Sequence, residues 1–161
     1  MTKILNMPNL KMSFAVLSFL IMSTFLFQSC EENENETLVS ANNATKSHKM
    51  GENCMSCHKS GGEGEGLFVI AGTVYNNVFS AIQPNGVVKL FSGANGTGTL
   101  KGTISVDGKG NFYTTNAIDF TGGLYVTVTG ASGNVSSMVS TVSNGQCNSC
   151  HGSSTHKISV N

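Results

Sequence analysis

Between Leu67 and Val142 the chain alternates short apolar runs with polar punctuation at a period of two. Leu100, Gly102, Ile104 and Val106 fall on one side of an extended segment, and Leu124, Val126 and Val128 on one side of another. Successive side chains of a strand point to opposite faces, so this pattern predicts half-buried strands. Strands are expected at 67–75, 78–82, 87–91, 100–106, 111–115, 124–129 and 135–142, all rich in Val, Ile, Thr, Phe and Tyr. Turn signals separate them at Pro84-Asn85-Gly86, Asn95-Gly96, Asp107-Gly108-Lys109-Gly110 and Ser132-Gly133-Asn134. The stretch from Val106 to Phe112 reads as the clearest hairpin. Seven short strands with regular turns predict a mainly β chain, folded as one antiparallel β-sandwich over residues 67–143.

The flanks follow other rules. Lys3 and Lys11 precede a nearly continuous apolar run from Met12 to Phe27. That run is short for a membrane span, which takes roughly 20 apolar residues, and suits a secretory signal over residues 1–29. It ends in Leu26-Phe27-Gln28-Ser29-Cys30, which resembles the lipobox of bacterial lipoproteins, where the Cys is acylated and becomes the mature N-terminus. The resemblance implies an outer-membrane lipoprotein anchored through Cys30, facing the periplasm or the cell surface. An ordinary signal with an unmodified Cys is the alternative. Residues 30–47 open with the acidic run Glu31-Glu32-Asn33-Glu34-Asn35-Glu36 and read as a disordered tether. The acidic run serves equally as a solvated spacer or as a surface-export signal. Formal net charge is zero, so no nucleic-acid partner is expected.

The chemistry lies at the two ends of the sandwich. Cys54-Met55-Ser56-Cys57-His58 recurs in type as Cys147-Asn148-Ser149-Cys150-His151. Cys-x-x-Cys-His is the attachment signature of c-type haem. Two thiols at this spacing can each form a thioether to one vinyl group, and the following imidazole reaches the iron from the proximal side. The motifs use four of the five Cys, Cys30 being the fifth, and two of the four His. His48 and His156 remain as candidate distal ligands, with Met50 and Met138 as rivals. The first haem-binding segment, with a flexible Gly-rich linker at 59–66, covers 48–66, and the second covers 144–161. If the motifs meet in space, a crossed arrangement is easiest: His48 with the haem at Cys147 and Cys150, His156 with the haem at Cys54 and Cys57. A four-cysteine zinc site and disulfides are the alternatives, although neither calls for a His after each pair.

Gly51 to His58 resembles the start of a small c-type cytochrome, but a Gly-rich and then β continuation replaces that family's haem-wrapping helices. Gly72-Thr73-Val74, Val87 to Phe91, the Asp-Gly turn before Phe112 and Leu124-Tyr125-Val126 resemble carboxypeptidase-regulatory or prealbumin-like modules over 67–142. That resemblance implies an Ig-like or prealbumin-like scaffold without catalytic residues. Asp107 and Asp119 read as turn formers. The expectation is a non-enzymatic carrier of two c-type haems that exchanges electrons with a redox partner protein. The alternative is a surface binding module clipped by zinc or disulfides.

Overall fold

The computed structural model describes residues 37–161. The expected signal segment, Cys30 and the acidic run to Glu36 lie outside the described residues. Among the described residues there are eight strands: β1 (Ile70–Tyr75), β2 (Val87–Phe91), β3 (Leu100–Ser105), β4 (Asn111–Thr114), β5 (Tyr125–Thr129), β6 (Val135–Ser137), β7 (Gly145–Gln146) and β8 (Ile158–Ser159). A single turn of helix, α1 (Cys147–Cys150), separates β7 from β8.

Two sheets form a mainly β, sandwich-like body. One is wholly antiparallel, in the order β3-β2-β5-β6. In the other, β4 pairs antiparallel with β1, placing Thr114 opposite Ile70 and Asn111 opposite Thr73. On the other edge of β1, β7 runs parallel at Ile70 and Ala71, and β8 runs parallel at Val74 and Tyr75. Ile70, Val74, Val88, Leu90, Ile104, Val106, Phe112, Leu124, Val126 and Val128 fill the core. Val160, beyond β8, closes it. The expected alternation of Leu124, Val126 and Val128 is realised, and Ile104 and Val106 point inward while Leu100 is exposed.

Several expectations change. Residues 78–82 form a turn in which Asn76 Oδ1 accepts from the Ser80 and Ala81 amides, and only Ile82 bridges back to Tyr75. The last expected strand stops at Ser137, and Val142 returns only as an isolated bridge to Leu124. The Asp107 turn is a corner between sheets: β3 pairs with β2, and β4 with β1. Asp107 Oδ1 accepts from the Lys109 and Asn111 amides at 2.8 and 2.9 Å, which holds the chain through that change of sheet. β7 and β8 were not anticipated, since two residues are too few to show a period.

The tether ends sooner than expected. Leu38 exchanges bonds with Thr115, Ser40 Oγ donates to the carbonyls of Ser105 and Tyr113, and Val39 bridges to Thr114. The 59–66 segment is no open linker either. It folds back on the first motif, with Gly64 N–H donating to Cys57 O and Phe68 N–H to His58 O. Gly62 permits the close approach, because a Cβ there would collide with Cys57 O.

Candidate functional site: two matched Cys-x-x-Cys-His turns on one strand

Each motif folds on its own as a single helical turn. Cys54 O accepts from the His58 amide at 3.0 Å, and Cys147 O accepts from the His151 amide at 3.0 Å. One helical turn brings residues three and four apart onto the same side, which gathers the two thiols and the imidazole. The serine common to both motifs caps the turn from within. Ser56 Oγ donates to Asn53 O at 2.8 Å, and Ser149 Oγ donates to Gln146 O at 2.6 Å. The four thiols are free.

The imidazoles are held alike. His58 Nδ1 lies 2.7 Å from Glu65 O, and His151 Nδ1 lies 2.7 Å from His156 O. A carbonyl only accepts, so Nδ1 carries the proton in both rings. Each Nε2 is then left with its lone pair and has no protein partner among the described residues. Metal-ligating histidines are held this way, the second nitrogen fixing tautomer and ring orientation.

Beyond that shared core the two sites differ. The first opens on a cavity of about 600 Å³, walled by residues 46–49, 52–54 and 56–58, the 63–65 loop, Phe68, and Asn111 and Tyr113 of β4. That volume falls in the range of cofactor pockets, roughly 300–1,000 Å³. Phe68 stacks on His58 at 4.0 Å between ring centres and 6° between planes, and Tyr113 stacks on Phe68 at 4.8 Å. Gly64 leaves room for this imidazole, since a Cβ there would lie 2.7 Å from Nδ1. Burial, helped by the charges of Glu52 and Cys57, raises the Cys54 thiol above its ordinary value.

The second site packs against the core. Cys147 is half-buried beside Gly72, whose missing side chain admits it, and burial pushes its thiol up to about 12. The neighbouring Cys54 and Cys150 add to that shift. Cys150 is exposed. Met138, a rival distal ligand by sequence, packs on the core.

The motifs meet because both dock on β1, and a polar chain of three side chains joins them. Thr73 Oγ donates to Asn111 Oδ1 at 2.6 Å and accepts from the Gly51 amide and from Asn148 Nδ2. Asn148 Oδ1 takes the Thr73 amide, the ladder bond that neither β7 nor β8 reaches, and Asn148 Nδ2 also donates to Glu52 O. Asn111 Nδ2 donates to Ser47 Oγ and His48 O. Every polar atom of this buried chain has a partner, the condition for such a network to stabilise its surroundings. Thr73, Asn111 and Asn148 were not singled out from the sequence. The one available signal was Asn148, a polar residue where the first motif has Met55.

The spare histidines are not crossed. His48 stands 6.1 Å from His58 between ring centres and lines the first cavity. His156 lends its carbonyl to His151, while its ring stacks on Phe79 at 5.7 Å. The two carboxylates expected as turn formers are that: Asp119 accepts from the Thr121 amide, as Asp107 does from its own turn. Among the described residues, no three His, Cys, Asp or Glu side chains converge to hold a metal ion by themselves. No helix among them is long and apolar enough to cross a membrane. No family model, curated protein or solved structure matches the chain.

Proposed function

We propose that the chain is an electron-transfer protein carrying two c-type haems, anchored to a bacterial outer membrane through acylated Cys30 and facing the periplasm or the cell surface. One observation carries the reading. The same local device, two thiols on one turn and an imidazole held at Nδ1 with Nε2 free, is built twice on unrelated surroundings. In this reading Cys54, Cys57, Cys147 and Cys150 form the thioethers, and His58 and His151 are the proximal ligands. Bound haem would supply one-electron chemistry, and the protein sets its potential through ligands and burial. The nearness of the motifs on β1 suits exchange between the two centres.

The residues fit the group at the first site, where a cofactor-sized cavity adjoins both thiols. At the second, the half-buried Cys147 thiol stays protonated at neutral pH and is unreactive once folded. Attachment there would need the Cys147 thiol accessible before α1 packs on β1; each thiol would add across a vinyl double bond, the sulfur bonding to one carbon and the proton passing to the other, with no net oxidation. A four-cysteine zinc clip is less well supported, because it needs its sulfurs gathered about 2.3 Å from one ion.

Protein expressed with cytochrome c maturation factors should stay red under denaturing conditions and carry the added mass of two haems per chain. Colourless protein with stoichiometric zinc would refute the proposal. The anchor is tested apart from the haems. Cys30→Ala should release the protein into the soluble fraction, since acyl chains supply about 0.8 kcal/mol per buried CH₂ and an acidic tether supplies nothing. Membrane retention of that variant would rule the anchor out.

A further inference from the structure

We infer that α1 is a hinged flap whose docking on β1 and whose loading with haem at Cys147 exclude one another. This rests on the dihaem reading above and deepens it.

The second motif, as folded, does not fit the group. Cys147 packs on the core beside Gly72, while Cys150 is exposed. Attachment through both thiols needs the two sulfurs free along one edge of the macrocycle. Even a Cβ on Gly72 would meet Cys147 Cβ at 3.0 Å and the Phe112 ring at 2.6 Å, so this face of β1 has no room for a larger group. A close-packed interior does not open for one. The cavity at the first motif offers none either, since no residue of the second motif lines it.

The segment is built to move as a unit. β7 pairs with Ile70 and Ala71, β8 pairs with Val74 and Tyr75, and Val160 beyond β8 is buried, so both ends are anchored on the sheet. Between the anchors, residues 147–157 are tied by their own bonds. The Ser153, Ser154 and Thr155 amides donate to Cys150 O, the Gly152 amide donates to Thr155 O, and His151 Nδ1 donates to His156 O. None of these breaks if the whole segment lifts. From Ser149 to Lys157 every residue except His151 is exposed. The grip on the body is small: Cys147 against Gly72, the three bonds of Asn148, the His156 ring on Phe79, and Lys157 over the Tyr75 ring.

β1 does not depend on that grip. The Val74 amide donates to Gly110 O and the Val69 amide to Thr114 O, so β1 keeps β4 when α1 is away. The first motif does feel it. Asn148 Nδ2 donates to Glu52 O, and Glu52 lines the first cavity. A docked α1 holds that wall, and a lifted α1 frees it. Docking and loading compete for one segment, so each shifts the population of the other.

Amide hydrogen exchange on the expressed protein tests this, with haem located by the masses of the peptides bearing Cys54–Cys57 and Cys147–Cys150. In haem-free chains the Thr73 amide should be protected by Asn148 Oδ1. In chains with both haems it should lose that protection, while the Val74 amide on Gly110 O keeps its own. Cys147→Ala combined with Cys150→Ala should leave one haem and a protected Thr73. If the unmodified chain takes haem at the first motif alone, Asn148→Ala should admit the second. Two haems with Thr73 still protected would overturn the inference, as would an Asn148→Ala chain that still takes only one. Haem at neither motif would instead sink the haem reading itself, and the inference with it.

Discussion

Replacing Gly72 by alanine should destabilise the protein by about 1–3 kcal/mol, and valine there should cost more. Strand propensity alone argues the opposite sign, because glycine is a poor strand residue on a scale that spans about 1 kcal/mol. Packing decides. A Cβ on Gly72 would lie 2.6 Å from Phe112 Cζ and 3.0 Å from Cys147 Cβ. Phe112 is only 1% exposed, so its ring has no solvent to move into. Cys147 belongs to α1, whose position is set by β7 before it and by Asn148 within it. The addition therefore pushes α1 off β1, and with it the second motif. Urea unfolding should show a lowered midpoint at unchanged slope, the mark of altered stability in the same two-state transition. A raised midpoint would mean that ring and helix give way freely and that propensity governs.

Asn148→Ala should cost about 2–3 kcal/mol. It removes three hydrogen bonds and orphans the Thr73 amide, whose residue is 1% exposed and lies on the edge of β1 between the reach of β7 and that of β8. A buried donor left without a partner costs more than the bond itself contributed. Because Asn148 and Thr73 belong to one network, Asn148→Ala combined with Thr73→Val should cost less than the sum of the two changes. Strict additivity in that double-mutant cycle would show the polar chain to be two independent contacts and not one link between the motifs.

Much of the scaffold was legible in the pattern of residues. The strand at Val87–Phe91 and the inward face Leu124, Val126, Val128 follow from period-two alternation, which the pleat imposes locally. The same holds for Asp107, whose side chain bonds amides two and four residues ahead whatever the rest of the fold does. The segment 78–82 misled for a local reason: its apolar Val78 and Phe79 sit on a turn clasped by Asn76, with Val78 67% exposed. The hairpin at Asp107 misled for a non-local one, since the turn is real but each arm finds a different partner strand.

The sequence by itself determined the local chemistry of the site: two thiols and an imidazole on one turn, twice, because bonds between residues three and four apart need nothing from elsewhere. Only the tertiary structure decided how the two copies relate. They meet because β7 and β8 flank α1 on one edge of β1 while the first motif's lead-in bonds Thr73 and Asn111 of the same sheet. Those contacts join residues up to 96 positions apart, through single side chains with no periodicity to betray them. The fate of the spare histidines was settled the same way. The sequence offered both alike as candidate distal ligands, but the neighbour of each ring is set by what the fold brings beside it, His58 for His48 and Phe79 for His156.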